Sequence, residues 1–268
     1  MSYEVLARKY RPSCFEEVIG QEHVVRALVN SIESEKIHQA FIFSGTRGVG
    51  KTTIARILAK CLNCESKTKP TSVPCNKCSN TIEITAGRSV DFLEIDAASN
   101  TQVEKIRDLI ETVEYKPAKG RYKIFLIDEV HMLSPASFNA LLKTLEEPPP
   151  HVVFIFATTN PEKIPKTVQS RCLQLSLKTV NEEMLNNHLN KILKKEKIKH
   201  DNESIQLISK SANGSVRDAL TILDQAIAHG NGELNSNEVK KLLGTIDDSL
   251  LFELLEGVVD GDGRKVFD

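Results

Sequence analysis

Between residues 38 and 177, short unbroken apolar runs alternate with stretches in which apolar residues return every three or four positions. The runs cover 38–44, 91–97, 122–128, 152–158 and 172–177, and each reads as a strand. Helices are predicted from Lys51 onward and over the segment that spaces Ile106, Leu109, Ile110 and Val113 on one face. A third has Ser134 as N-cap and Pro135 at its first position, and runs to Glu147, where Pro148, Pro149 and Pro150 stop it. Apolar strands separated by helices predict a five-stranded parallel sheet covered on both faces, an α/β architecture. After Lys178 only helical periodicity remains: 181–199, 204–212, 216–229 and 237–243 read as a small all-helical domain. A new helix is expected from Asp248, as though the chain were cut inside a third domain.

Composition narrows the class. With 40% apolar and 26% charged residues, the 268-residue chain is globular rather than disordered or fibrous. Lys and Arg (35) nearly balance Asp and Glu (36), which excludes a wholesale cationic surface but permits a local basic patch. The longest apolar run, from Val152 to Ala157, falls far short of the roughly 18 residues a membrane helix requires. The first dozen residues contain no apolar signal core, so a cytoplasmic protein without membrane association is expected. Of six cysteines, Cys61, Cys64, Cys75 and Cys78 form C-x2-C-x10-C-x2-C, a clustering that points to a metal; Cys14 and Cys172 read as small buried hydrophobes.

The chemistry begins after the first strand. Gly45, Thr46, Arg47, Gly48, Val49, Gly50, Lys51 and Thr52 match G-x-x-x-x-G-K-[ST], with Thr53 next in the helix. Backbone N–H groups of such a loop face phosphate oxygens, Lys51 reaches the β and γ oxygens, and the Thr52 hydroxyl is placed for Mg²⁺. Asp128 at the end of the third strand supplies a second Mg²⁺ contact, and Glu129 a group that polarises water. A kinase needs no such acid pair, so the pattern favours ATP hydrolysis. His131 reads as a packed or solvent-facing neighbour.

These motifs, with L-A-R-K-Y-R-P (6–12), V-I-G-Q (18–21), D-A-A-S-N (96–100), S-R-C (170–172), G-S-V-R-D-A-L (214–220) and L-L-G-T-I-D-D (242–248), resemble the AAA+ clamp loaders. The resemblance implies a RecA-like nucleotide-binding domain over 1–179, with a zinc module inserted at about 61–82. It further implies a helical lid over 180–243 and the start of a collar domain at 244–268. It places Arg11, Val18 and Ile19 at the adenine and ribose, Thr158 as a sensor with Thr159 and Asn160, and Arg217 at the phosphates of its own subunit. Arg171 becomes an arginine finger directed at a neighbour. From the residues alone, surface ion pairing is the alternative for both arginines.

The family's zinc module matches at Cys64, Cys75 and Cys78, but Thr81 stands where a fourth cysteine is usual. Cys61 completing the zinc site, a weaker three-cysteine site and a module without metal all remain open. Ser99, Asn100 and Thr101, ahead of a helix carrying Lys105 and Arg107, correspond to the segment that tracks the backbone of primed-template DNA. Lys194 to Lys199 read simply as a solvated helix end. The implied function is ATP-driven loading of a sliding clamp onto primed DNA by a ring of clamp-loader subunits associated with a DNA polymerase that carries out nucleotidyl transfer. A branch-migration helicase and a non-hydrolysing ring member are the rival readings.

Overall fold

The computed structural model describes residues 4–99, 103–244, 255–256 and 258–260. Five strands, β1 (Ala40–Ser44), β2 (Phe92–Asp96), β3 (Lys123–Asp128), β4 (Val152–Thr158) and β5 (Leu173–Ser176), form one parallel sheet in the order β2-β3-β4-β1-β5. The helices are α1 (Leu6–Lys9), α2 (Glu22–Glu33), α3 (Lys51–Asn63), α4 (Ser79–Thr85), α5 (Val103–Val113), α6 (Pro135–Glu146), α7 (Lys166–Gln169), α8 (Glu182–Glu196), α9 (Asn202–Ser211), α10 (Val216–His229) and α11 (Ser236–Leu243). The chain divides into two compact units, the larger comprising Arg8–Asn181 with Ser215–Arg217. The sheet and α2–α7 belong to the larger unit.

Every residue of β1 and β4 is buried, as is all of β3 except Asp128. Alternation along these strands sorts their side chains between two cores. Phe41, Phe43, Ile124, Leu126, Val153 and Ile155 pack on one face with α2 and α3. Ala40, Ile42, Phe125, Ile127, Phe154 and Phe156 pack on the other with α5 and α6. Full burial on both faces holds only for these central strands. β2 and β5 are the edges of the sheet, with Glu94 and Leu173 exposed, and no strand among the described residues pairs beyond them. Ser134 caps α6 as expected, its hydroxyl accepting from the Ser137 N–H at 3.1 Å.

Four helices lie outside the expectation: the single turns α1 and α7, and the longer α2 and α4. α2 buries Val24, Leu28 and Ile32, a period-four stripe that belongs to the same core as α3. α4, inside the cysteine segment, buries the polar Asn80 and Thr81 beside Ile84, too weak an apolar signal to read as a helix.

In the smaller unit, Leu185, Leu189, Ile192 and Leu193 of α8, Ile205 and Ile208 of α9, Ala219, Leu220 and Leu223 of α10 and Val239 of α11 are buried. Asp201 pins two helix starts at once: its carboxylate accepts from the Ser204 N–H of α9 at 2.6 Å and the Ser236 N–H of α11 at 2.9 Å. Of the helix expected from Asp248, residues 255–256 and 258–260 are helical and the rest lie outside the described residues. Asn100 and Thr101 also lie outside them, as do the side chains of Lys105 and Arg107. No helix among the described residues is long and apolar enough to cross a membrane.

The contrast between centre and edge is testable. Phe154, whose ring lies 5.4 Å from Phe125 and 6.0 Å from Phe156, is fully buried. Phe154→Ala is expected to cost about 3–5 kcal/mol of unfolding free energy. Leu173→Ala on exposed β5 is expected to cost less than about 1 kcal/mol. Urea unfolding of both variants checks the pair; equal losses would contradict the burial assignment.

Candidate nucleotide and metal sites

The phosphate loop owes its position to strand register. Ser44 pairs with Thr158 and Ile127 with Phe156, so β1, β3 and β4 end at one level, and the Gly45 N–H donates to the Thr158 carbonyl at 3.2 Å. Gly50, at φ 107°, turns the chain into α3 in a conformation that L side chains rarely adopt. Gly48, at φ 77°, leaves no room for a Cβ because the Ser215 side chain occupies that space, and its carbonyl accepts from the Arg217 N–H at 3.4 Å. Thr46, Arg47 and Val49 complete the loop, and only Val49 of the three is buried, in the core shared with α3.

Lys51 is buried, with Nζ donating to the Gly45 and Thr46 carbonyls at 2.8 and 2.9 Å. Burial lowers its pKa, and the charges of Glu129 and Asp128 oppose that shift. The Thr52 hydroxyl donates to Asp128 Oδ2 at 2.9 Å, while Oδ1 accepts from the Glu129 N–H at 3.0 Å. These two side chains thus converge where a hard cation such as Mg²⁺ takes oxygen ligands. Arg11 reaches the same helix: its Nε donates to Thr53 Oγ1 at 3.1 Å, and burial, then Arg56, lowers its pKa to about 10. Val18 and Ile19 are half-buried on the segment that follows.

Glu129 sits in the left-handed region at φ 48°, a strained conformation for a non-glycine residue. Its Oε2 accepts from the Thr159 N–H at 3.1 Å and the Thr159 hydroxyl at 3.0 Å. Thr159, rather than Thr158, is therefore the residue that holds the carboxylate. Thr158 accepts from the Asn160 N–H at 3.0 Å and lies 3.0 Å from His131 Nδ1. His131 is a packed neighbour, half-buried, and the same Nδ1 is 3.3 Å from Glu129 Oε2.

Arg171 lies elsewhere. It precedes β5, which runs parallel to β1, so it sits where the strands begin, at the edge opposite the loop. Its guanidinium donates to Glu146 Oε1 and the Thr167 carbonyl, both at 2.6 Å. It borders a cleft of about 420 Å³ with His38, Gln39, Tyr122 and Glu146.

Of the four clustered cysteines, the structure gathers three. The Sγ atoms of Cys64, Cys75 and Cys78 lie within 4.8 Å of one another, close enough to share one ion. N–H groups of Lys77 and Cys78 point at Cys75 Sγ, at 3.5 and 3.3 Å; led by Lys77, they lower that thiol's pKa to about 6. Thr81 Oγ1 is 3.2 Å from Cys78 Sγ and 4.0 Å from Cys75 Sγ. Cys61 does not join them. α3 ends at Asn63, and Cys64 caps it at φ −64° and ψ 123°, so the chain turns away toward the knuckle only after Cys64. The fully buried Cys61 thiol donates instead to the Ser72 carbonyl at 3.5 Å, and burial pushes its pKa up. Three thiols this close together are compatible with zinc. Cys14 and Cys172 are half-buried rather than fully buried, and burial raises the Cys172 thiol to about 12.

Comparisons with known proteins agree on the family. A family model described as DNA polymerase III, delta subunit, matches residues 20–181, and one described as DNA polymerase III clamp loader subunit, ATPase lid domain, matches residues 184–232. The chain is 55% identical to DNA polymerase III subunit tau of Escherichia coli, over 99% of this chain and 41% of that protein. It is 50% identical to DNA polymerase III subunit gamma of Buchnera aphidicola subsp. Schizaphis graminum, over 99% of this chain and 73% of that one. The chain thus spans about two fifths of the length of the tau relatives it matches. Among solved structures, the Thermotoga maritima RuvB Holliday junction branch migration motor superposes with a TM-score of 0.64 at 17% identity, over 93% of this chain and 79% of that one, a likeness of fold. The α/β core and helical unit are accordingly those of a RecA-like P-loop protein with a lid, and the chain belongs to the gamma/tau family of DNA polymerase III clamp-loader subunits.

Proposed function

We propose that the chain binds and hydrolyses ATP as a clamp-loader subunit, driving a sliding clamp onto primed-template DNA in a ring with other subunits, in the cytoplasm. In this reading 1–179 is the nucleotide-binding domain, 180–243 its lid and 244–268 the start of a collar. The observation that carries the reading is the Thr52–Asp128 hydrogen bond of 2.9 Å beside the phosphate loop, with Glu129 on the next residue. Magnesium, when bound to Thr52 and Asp128, neutralises charge on the phosphates. Lys51 leaves the loop carbonyls for the phosphate oxygens, and Arg217 adds a second positive charge. Both Thr159 bonds fall on Glu129 Oε2, and in this reading Oε1 orients water at the γ-phosphorus. Zinc at Cys64, Cys75 and Cys78 is structural, and nucleotidyl transfer belongs to the associated polymerase.

Lys51→Ala is expected to weaken ATP binding about 10- to 100-fold, the value of losing a charged hydrogen-bond donor. Glu129→Gln should leave affinity near native and slow turnover by roughly 10²–10⁴. Titration with a fluorescent ATP analogue and single-turnover hydrolysis check both. Native turnover in Glu129→Gln would remove that residue from its role.

Arg171, at the far edge of the sheet, is read as a finger for a neighbouring subunit's nucleotide. Arg171→Ala should leave the isolated chain's ATP affinity within about twofold. In the full-length ring it should reduce hydrolysis stimulated by clamp and DNA by roughly 10³–10⁵. Mixing it with Lys51→Ala subunits should restore turnover at interfaces where an intact arginine meets an intact loop; lost ATP binding in isolated Arg171→Ala would show that it acts within its own subunit.

Elemental analysis should find one zinc per chain. Cys61→Ser should retain it and Cys75→Ser lose it; the opposite result would reinstate Cys61 as a ligand.

A further inference from the structure

Lys60 is a buried cation that the nucleotide chemistry does not use. It lies on α3, 4% exposed, and Nζ donates to the Ser13 carbonyl at 2.7 Å and to Asn76 Oδ1 at 2.9 Å. Burial lowers its pKa, opposed by Cys61, Cys14 and Glu17 and assisted by Arg11. An ammonium taken out of water is costly unless its donors are satisfied. Here the two acceptors are neutral oxygens supplied by two segments far apart in sequence.

Asn76 is one of those suppliers. It occupies the left-handed position, φ 55°, between Cys75 and Cys78, in the knuckle where the Lys77 and Cys78 N–H groups point at Cys75 Sγ. The direction of its amide therefore depends on the closed shape of the knuckle. Ser13 is the other. Its N–H and hydroxyl donate to Glu17 Oε2 at 2.6 and 3.0 Å, and two residues earlier Arg11 bonds Thr53 in the first turn of α3. A 3.5 Å contact from Asn76 Nδ2 to Ser13 Oγ closes the triangle.

We propose that Lys60 couples the three-cysteine site to the nucleotide pocket, so that zinc in the knuckle tightens ATP binding through Asn76, Lys60 and Ser13. The coupling rests on the zinc and nucleotide readings above. An open knuckle withdraws the Asn76 acceptor, Lys60 turns toward water, and the segment carrying Ser13 and Arg11 loses its anchor. Coupling between sites is reciprocal, so ATP must tighten zinc by the same factor.

The experiment uses the chain of residues 1–268, zinc-loaded or stripped by chelator, with zinc measured by elemental analysis and nucleotide affinity by titration with a fluorescent ATP analogue. Zinc loading should tighten the analogue about 5- to 50-fold, and saturating analogue should tighten zinc equally against a chromogenic chelator. The equality follows from any linkage between the two sites, so the two variants are what assign the coupling to Lys60 and Asn76. Lys60→Met should bring both ratios close to one while one zinc still binds. Asn76→Gly, which suits the left-handed backbone, should do the same and decides the matter if the buried Lys60 variant fails to fold. Zinc bound with equal affinities in loaded and stripped native protein would overturn the coupling and leave the metal reading intact. Ratios unchanged in the variants would overturn the role of Lys60. A chain that takes up no zinc would overturn the metal reading and the coupling together, and a zinc-loaded chain that binds no analogue would overturn the nucleotide reading and the coupling.

Discussion

The parallel register of β1, β3 and β4 is the constraint from which the site follows. Because Ser44 lies opposite Thr158 and Ile127 opposite Phe156, the residues leaving these strands meet at one edge: the glycine loop, Asp128 with Glu129, and Thr158 with Thr159. A shift by one residue in either pairing would also turn every buried side chain to the wrong face. The phenylalanines make that error costly, with Phe41 and Phe43 committed to one core and Phe125, Phe154 and Phe156 to the other. Burial thereby supports the unfavourable features above it, the left-handed Glu129 and the desolvated Lys51.

The same sheet separates two kinds of arginine. Arg217 is bonded through its backbone to the loop at Gly48, whereas Arg171 stands where the strands begin. The Arg171–Glu146 pair is short, at 2.6 Å, yet both side chains are solvent-accessible, 33% and 53%. Such pairs contribute about 0–1 kcal/mol, so the guanidinium can be redirected at small cost. The finger role proposed for Arg171 requires that freedom, and a guanidinium held at full burial would lack it.

What could be read from the sequence was local. The five strands, the capped start of α6 and the phosphate loop each announce themselves within a dozen residues, and each lies where the pattern puts it. The stripe of Val24, Leu28 and Ile32 was also local and legible, but it lies before the first strand, outside the alternation that organised the rest. Other features were not local at all. Thr158 and Thr159 are chemically alike, and only the end of β4 against β3 decides which one meets Glu129. His131 acquires its partners by the same convergence. Cys61 does lie one turn before Cys64, where α3 stops, but its buried thiol donates to the Ser72 carbonyl, and nothing in C-L-N-C marks that partner or that stop.

That stop is itself held by polar bonds, and they show how α3 is fixed. Buried nearly all round, from Ile54 to Leu62, the helix would be free to rotate or slide if apolar packing were its only restraint. Its buried polar side chains remove that freedom. Lys51 ties the first turn to the loop carbonyls, Lys60 ties the last turn to Ser13, and Asn63 ties the final residue to the segment entering β3, accepting from the Arg121 and Tyr122 N–H groups at 3.0 and 2.9 Å and donating to the Tyr122 carbonyl at 2.8 Å. Each bond is directional, and each would strand a buried donor or acceptor if the helix turned. The Arg121 guanidinium extends the last tie by donating to the Leu62 and Cys64 carbonyls, both at 2.9 Å, where the chain leaves the helix for the cysteine knuckle. The position of Thr52 beside Asp128 and the departure of Cys64 toward Cys75 are thus two ends of one pinned rod about 20 Å long, which is how α3 sets the spatial relation between the phosphate loop and the cysteine knuckle.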